Sequence, residues 1–176
     1  MGALVRTCAL RTQGGAGPSG VDAAGWRRIL TGFHRESVDL CEAGAALGRR
    51  VCTEFVDPAS LEAFLACRLI PVDKKPGVRP IGVCEVLRRV VGKAVMTVVK
   101  ADVVVATGPV QLCAGIEGGS EAAVNTLQEL FAAEETEAVL LVDETNASNN
   151  LNRKVALFNI QFLCPAISKI LINCYQ

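Results

Sequence analysis

The sequence has a single histidine, His34, and no C-x-x-C pair among its eight cysteines at positions 8, 41, 52, 67, 84, 113, 164 and 174. Zinc sites need clustered Cys and His ligands, so none is expected. No apolar run approaches the ~20 residues of a membrane span, and nothing resembles a signal peptide. Neither charge is in excess: Lys plus Arg and Asp plus Glu number 18 each, so net charge names no partner. Internal repeats and low-complexity tracts are missing as well, which excludes a repeat array. The cysteines therefore read as reduced, mostly buried thiols of an intracellular protein, with nucleus and cytoplasm equally open. What is present is apolar bulk. Of the 176 residues, 51% are hydrophobic, enough to core one ordinary domain.

Charge is balanced in total and segregated in sequence. Lys74, Lys75, Arg79, Arg88, Arg89, Lys93 and Lys100 make seven bases within one segment, and Glu117 to Glu144 holds eight acids and no base. A basic wall and an acidic wall suit a cleft that takes a polyanion on one side and cations on the other. Two solvated helix faces account for the same pattern.

Local signals predict a helix-rich α+β chain. Residues 1–13 carry little pattern, and GGAGPSG at 14–20 is turn-rich. Asp22 suits an N-cap for a helix through Trp26 and Leu30. A helix within 33–56 is weakened by Gly44 and Gly48. Asp57-Pro58, a cap followed by proline at the first helical position, starts a helix over 58–68 with Leu61, Phe64 and Leu65 as its stripe. LIPVDKKPGVRPIGV at 69–83 reads as two strands around a Pro76-Gly77 turn. Over 84–100, Leu87, Val90, Val91, Ala94, Val95 and Val98 share one helix face, with Arg89 and Lys93 on a solvated one. Gly108-Pro109 breaks the chain. Ser120 suits the cap of a helix to about Ala133, with Glu121 in its first turn and Val124, Leu127, Leu130 and Phe131 as its stripe. Further helices are expected over 152–163 and from Pro165 toward Tyr175.

Ala138 to Val142 are five consecutive apolar residues that run into Asp143. Such a run suits a strand covered on both faces, and a carboxylate at its end would stand at the edge of the core, where ligands and metals bind. On spacing alone Asp143 is better read as a structural cap of the loop before the helix at 152–163. One strand makes no sheet, and the pattern shows no neighbours for 138–143, so the sequence reads as part of a larger domain.

Three stretches, in order, carry a resemblance: KKPGVRPIGV, QLCAGIEGGSEAAV and LLVDETNASNNLNR. Together they resemble the fingers and early palm of a reverse transcriptase, of the kind found in retroelements without long terminal repeats and in group II introns. GGAGPSGVDAAGW is similar to the segment that leads into such domains. The resemblance covers residues 14–176, with fingers over about 14–110 and early palm over about 111–176, and leaves 1–13 as an unpatterned lead.

The resemblance implies RNA-templated DNA synthesis with magnesium, on an RNA template and a DNA primer, from deoxynucleoside triphosphates. Asp143 matches the first metal-binding aspartate of the palm, and the backbone carbonyl of Glu144 would add a ligand. Arg79, with Lys75 and Lys74, matches the fingers residues that hold nucleotide phosphate. Gln111 and Gly115 match the region supporting template and primer. The residue types suit the chemistry: magnesium prefers carboxylate and phosphate oxygens, two ions clamp the attacking and leaving oxygens, and the planar guanidinium fits phosphate. A hairpin tip at Lys75-Pro76-Gly77 could close over the nucleotide.

Departures from the family are specific. Ser148 stands five residues after Asp143, where the family usually has an aromatic ring that excludes a ribose 2′-hydroxyl, so poor sugar discrimination is implied. Glu144 is an acid where a small residue is usual. The tyrosine-x-aspartate-aspartate motif that supplies the remaining carboxylates does not occur in the sequence, and one aspartate cannot hold two magnesium ions, so no polymerase activity is expected from this chain alone. A non-enzymatic nucleic-acid-binding remnant, using the basic segment, is the second expectation. A relic without function is the third. Trp26 reads as a helix anchor rather than a stacking platform, and Asn146 and Asn149 as turn formers.

Overall fold

A computed structural model describes residues 1–75, 77–109, 111–112, 116–143 and 150–175. The order is α1 (Gly2–Arg11), α2 (Ala23–Thr31), α3 (His34–Thr53), α4 (Pro58–Leu65), β1 (Cys67–Asp73), β2 (Val78–Cys84), α5 (Val86–Thr107), α6 (Gly119–Ala132), α7 (Arg153–Leu163) and α8 (Pro165–Tyr175). Among the described residues this is a helix-rich α+β chain with one two-stranded antiparallel sheet. No described helix is long and apolar enough to cross a membrane. Packing divides the chain into two units: residues 1–98 with 167–176, and residues 99–166.

The first unit is built on α1, α2, α3 and the start of α5. Val5, Cys8 and Ala9 of α1, Ala23 and Leu30 of α2, Cys41 and Ala45 of α3, and Val86, Val90 and Ala94 of α5 form one buried cluster. Residues 1–13 thus contain a core helix, contrary to their weak pattern: the buried set is small, and small residues give little amphipathic contrast. Gly44 and Gly48 do not break α3, which runs its full length through them. Both are buried, and a Cβ on Gly48 would meet the Val91 Cγ1 at 3.3 Å, so the missing side chain lets α5 lie close. A second cluster joins Val51, Val56 and Leu61, with Phe64, Leu65 and Ile170 packed against it. Leu61, Phe64 and Leu65 are the stripe expected for α4.

Several ends follow the local code. Asp22 accepts from the Gly25 N–H at 2.8 Å, Asp57 from the Ala59 N–H at 3.3 Å ahead of Pro58, and Asn152 from the Val155 N–H at 3.2 Å. α6 differs: its cap is Gly118, at φ 68°, and Ser120 lies inside the first turn. Glycine takes that left-handed position without the steric cost a serine would meet. α5 extends to Thr107, stopped by Gly108 at φ 72° and Pro109.

In the second unit, residues 138–143 form no strand. Leu140, Leu141 and Val142 are 87%, 78% and 82% exposed, so the expected buried strand is replaced by an irregular, solvated stretch. A strand needs a partner for its backbone groups, and the only described sheet is β1–β2, in the other unit. The α6 stripe is likewise uncovered: Val124, Leu127, Leu130 and Phe131 are all exposed.

Candidate functional site

The hairpin is the element on which sequence and structure agree most closely about a site. β1 and β2 pair from Cys67↔Cys84 to Asp73↔Val78, longer at the base than the pattern predicts by two residues on β1 and one on β2. At the tip the Lys74 N–H donates to the Gly77 carbonyl at 2.9 Å, and Gly77 has φ +97°, the conformation a tight return demands. Pro76, the other predicted turn residue, lies outside the described residues. Hydrogen-bonded and non-hydrogen-bonded pairs alternate along an antiparallel ladder. Counting from Lys74 and Gly77, Pro71↔Pro80 falls on a non-hydrogen-bonded pair, where neither residue owes the ladder an N–H. Two prolines can therefore face each other in this sheet without a lost bond.

The same alternation sorts the side chains. Arg68, Ile70, Val72 and Lys74 share a face with Arg79, Ile81 and Val83, whereas Asp73 belongs to the opposite face with Cys67, Leu69, Pro71, Pro80 and Cys84. One face thus carries three cations and no acid. Arg68, Lys74, Lys75 and Arg79 are exposed. The ion pairs of the described residues, Arg35–Asp39 and Arg50–Glu54, do not involve the hairpin. A basic, unpaired, two-stranded finger can hold phosphate, and its isoleucine and valine side chains can lie against a sugar or base.

The base of the hairpin is anchored from α5. The Arg88 Nη1 donates to the Leu65 carbonyl at 3.2 Å, and stands 3.6 Å from the Cys84 Sγ and 3.8 Å from the Cys67 Sγ. Arg89, expected on a solvated face with Lys93, is half-buried, while Lys93 is exposed as expected; both also reach backbone carbonyls. Arg89 donates to the carbonyls of Gln13 and Gly15, and the Lys93 Nζ donates to the Arg11 carbonyl at 3.3 Å. Glu85, 8% exposed, accepts from the Ser19 N–H at 2.6 Å and from the Ser19 hydroxyl at 2.8 Å. The turn-rich 14–20 stretch is therefore fastened to the start of α5.

The predicted site residues do not converge on one element. Lys74, Lys75 and Arg79 share the hairpin in the first unit; Asp143 belongs to the second, exposed at the end of its irregular stretch. Gln111 is exposed between α5 and α6. Gly115, Glu144, Ser148, Asn146 and Asn149 lie outside the described residues. Asp143 offers one carboxylate, and no group of three or more His, Cys, Asp or Glu among the described residues could hold a metal ion. The described residues do not by themselves make the two-magnesium site that the resemblance implies. Trp26 packs, half-buried, against the first core cluster, as an anchor would.

Two residues outside the sequence expectations hold the first unit together. Asn173, 2% exposed on α8, accepts from the Val56 N–H at 3.0 Å and donates to the carbonyls of Val51 and Glu54, both at 2.8 Å. Ser37 accepts from the Phe33 N–H at 2.9 Å and donates to the Ile29 carbonyl at 2.7 Å, tying α2 to α3. For Asn173 the available signal was a polar residue inside an apolar helical run, which burial obliges to find partners; Ser37, in the charged stretch HRESVD, gave none. Comparison with protein-family models, curated proteins and solved structures finds no match for this chain.

Proposed function

We propose that the chain is a portion of a reverse transcriptase of the non-long-terminal-repeat or group II intron kind, with fingers over about 14–110 and early palm over about 111–176. In the full family the reaction is magnesium-dependent, RNA-templated addition of deoxynucleotides to a primer. The order of the three motifs in one chain carries this reading. The hairpin supports it, since KKPGVRPIGV forms the tip and second strand of a finger whose Arg79 is exposed and has no acid on its own face.

The test is nucleotide binding rather than turnover. The chain is titrated with a magnesium deoxynucleoside triphosphate and, in parallel, with the bare nucleoside. Selective binding of the triphosphate is expected, and Arg79→Ala should weaken it about tenfold or more, since a hydrogen bond to a charged group contributes ~1.5–3 kcal/mol. Arg79 is exposed, so its loss leaves the fold intact. Equal affinity of the two proteins, or of triphosphate and nucleoside, sinks the reading. Primer extension by these residues alone is expected to be absent, because one aspartate cannot clamp two magnesium ions.

The second reading is a non-enzymatic nucleic-acid-binding remnant. The segregation of Arg68, Lys74 and Arg79 on one face favours it. It requires single-stranded oligonucleotide affinity to fall with salt, with a slope near −2 for three phosphate contacts at about −0.7 each.

A further inference from the structure

Cys67 opens β1 and Cys84 closes β2, and the register makes them cross-strand partners. By the alternation counted from the tip they form a non-hydrogen-bonded pair, in which side chains approach most closely and Cα atoms lie about 4.5 Å apart. A disulfide needs Cα atoms ~4.4–6.8 Å apart and Cβ vectors that converge. The two Sγ atoms are already 3.1 Å from each other, as free thiols in contact. Cys67 is exposed and Cys84 is half-buried, so a reagent reaches the pair from the Cys67 side. The Arg88 guanidinium stands beside both sulfurs.

We propose that Cys67 and Cys84 are a redox-active pair that forms a reversible cross-strand disulfide by exchange with a small-molecule disulfide, closing the base of the hairpin. The Cys67 thiolate attacks one sulfur of the reagent. A mixed disulfide forms and one reagent thiolate leaves. The Cys84 thiolate then attacks the Cys67 sulfur and expels the second reagent thiolate. Two protein thiols are oxidised, one reagent disulfide is reduced to two thiols, and the protein's two protons end on the leaving groups. The product is a covalent clasp across the first rung of a ladder that is otherwise held by backbone bonds and has no neighbouring strand among the described residues. The inference is independent of the polymerase reading, since it uses neither Asp143 nor the hairpin cations.

A third thiol is the competitor: Cys174 on α8 interacts with the Arg88 side chain and feels the charge of Cys84, and Cys52 feels the charge of Cys174. Burial raises the Cys67 thiol above its ordinary range, the hydrogen bond and charge of Cys84 raise it further, and Arg88 partly offsets both. Thiolate is therefore scarce at neutral pH. Exchange should accelerate about tenfold per pH unit through the mildly alkaline range, because rate follows the thiolate fraction.

The experiment incubates the full chain with oxidised glutathione, quenches by alkylation and maps peptides. A linked pair containing Cys67 and Cys84 is expected, reversed by reduced glutathione and formed faster at higher pH. Cys67→Ser should leave Cys84 unlinked to Cys174, and Arg88→Gln should slow exchange several-fold at neutral pH while leaving the linkage unchanged. Cys67 is exposed, so its serine variant keeps the fold, and circular dichroism checks both variants. A stable glutathione adduct on Cys67 without the intramolecular bond, a Cys84–Cys174 link in the unaltered chain, or no oxidation of Cys67 overturns the proposal.

Discussion

Asn173 shows how one side chain can fix the end of a fold. Its amide spans the junction between α3 and α4, taking two carbonyls and one N–H that no helix satisfies. Each buried backbone group left unpaired costs ~1–3 kcal/mol. Asn173→Ala should therefore destabilise the first unit by about 3 kcal/mol, read as a lower midpoint of that unit's own thermal transition. Asn173→Asp should be worse at neutral pH, because a carboxylate would then face two carbonyl oxygens with no proton to donate. Thermal melts of the three proteins check the order, and a harmless Asn173→Ala would show that α8 is held by its apolar contacts alone. At this scale the sequence was partly legible. Caps such as Asp22 and Asp57 act on neighbours two or three residues away, so local pattern finds them, whereas Asn152, expected as the first residue of its helix, is instead the cap. Asn173 and Ser37 act across turns or across the chain, and only the fold reveals their partners.

Among elements, the loop between α1 and α2 is the clearest case of tertiary control over an irregular stretch. Its carbonyls are taken in turn: Arg11 by Lys93, Thr12 by Arg27, Gln13 by Arg89, Gly14 by the Ala23 N–H and Gly15 by Arg89 again. Cations at the C-terminal end of α1 also suit its dipole. Gly17 completes the approach, since a Cβ there would meet the Glu85 backbone at 2.8 Å. Arg89 and Lys93, four apart on α5, read as a solvated face; Lys93 is exposed, but spacing alone does not say which carbonyls lie within reach of the two side chains. Arg89→Ala should cost about 1–2 kcal/mol, discounted for its partial exposure. It should also raise amide hydrogen exchange over residues 12–22 while leaving the middle of α3 protected. Exchange that rises equally in both segments would mean that Arg89 supports the whole unit rather than the loop.

For the molecule as a whole, buried apolar mass is unevenly shared. Among the described residues every buried hydrophobic except Val99 and Cys164 belongs to the first unit. Five of the six phenylalanines, Phe33, Phe55, Phe131, Phe158 and Phe162, are exposed. The second unit keeps its helices but leaves their stripes wet, and the apolar run before Asp143 with them. That explains why the amphipathic helices with a predicted stripe and the hairpin could be read from local pattern, while α1, the Gly118 cap and the fate of the apolar run at 138–142 could not. An apolar run states a need for cover, and whether cover exists is a property of the rest of the fold. Fully burying a Val, Leu or Phe side chain contributes ~1.5–3 kcal/mol, so a unit lacking such residues inside has little to oppose the entropy of its chain. Unfolding should therefore not be two-state. In a urea titration followed residue by residue through amide exchange, α6 and α7 should lose protection at lower denaturant than α1, α3 and the start of α5. Far-ultraviolet dichroism should show an early loss of helix before the main transition, and limited proteolysis should cut first within 99–166. A single coincident transition by all three measures would show that the two units unfold as one, and that the exposed stripes of α6 and α7 contribute more to stability than their solvent contact implies.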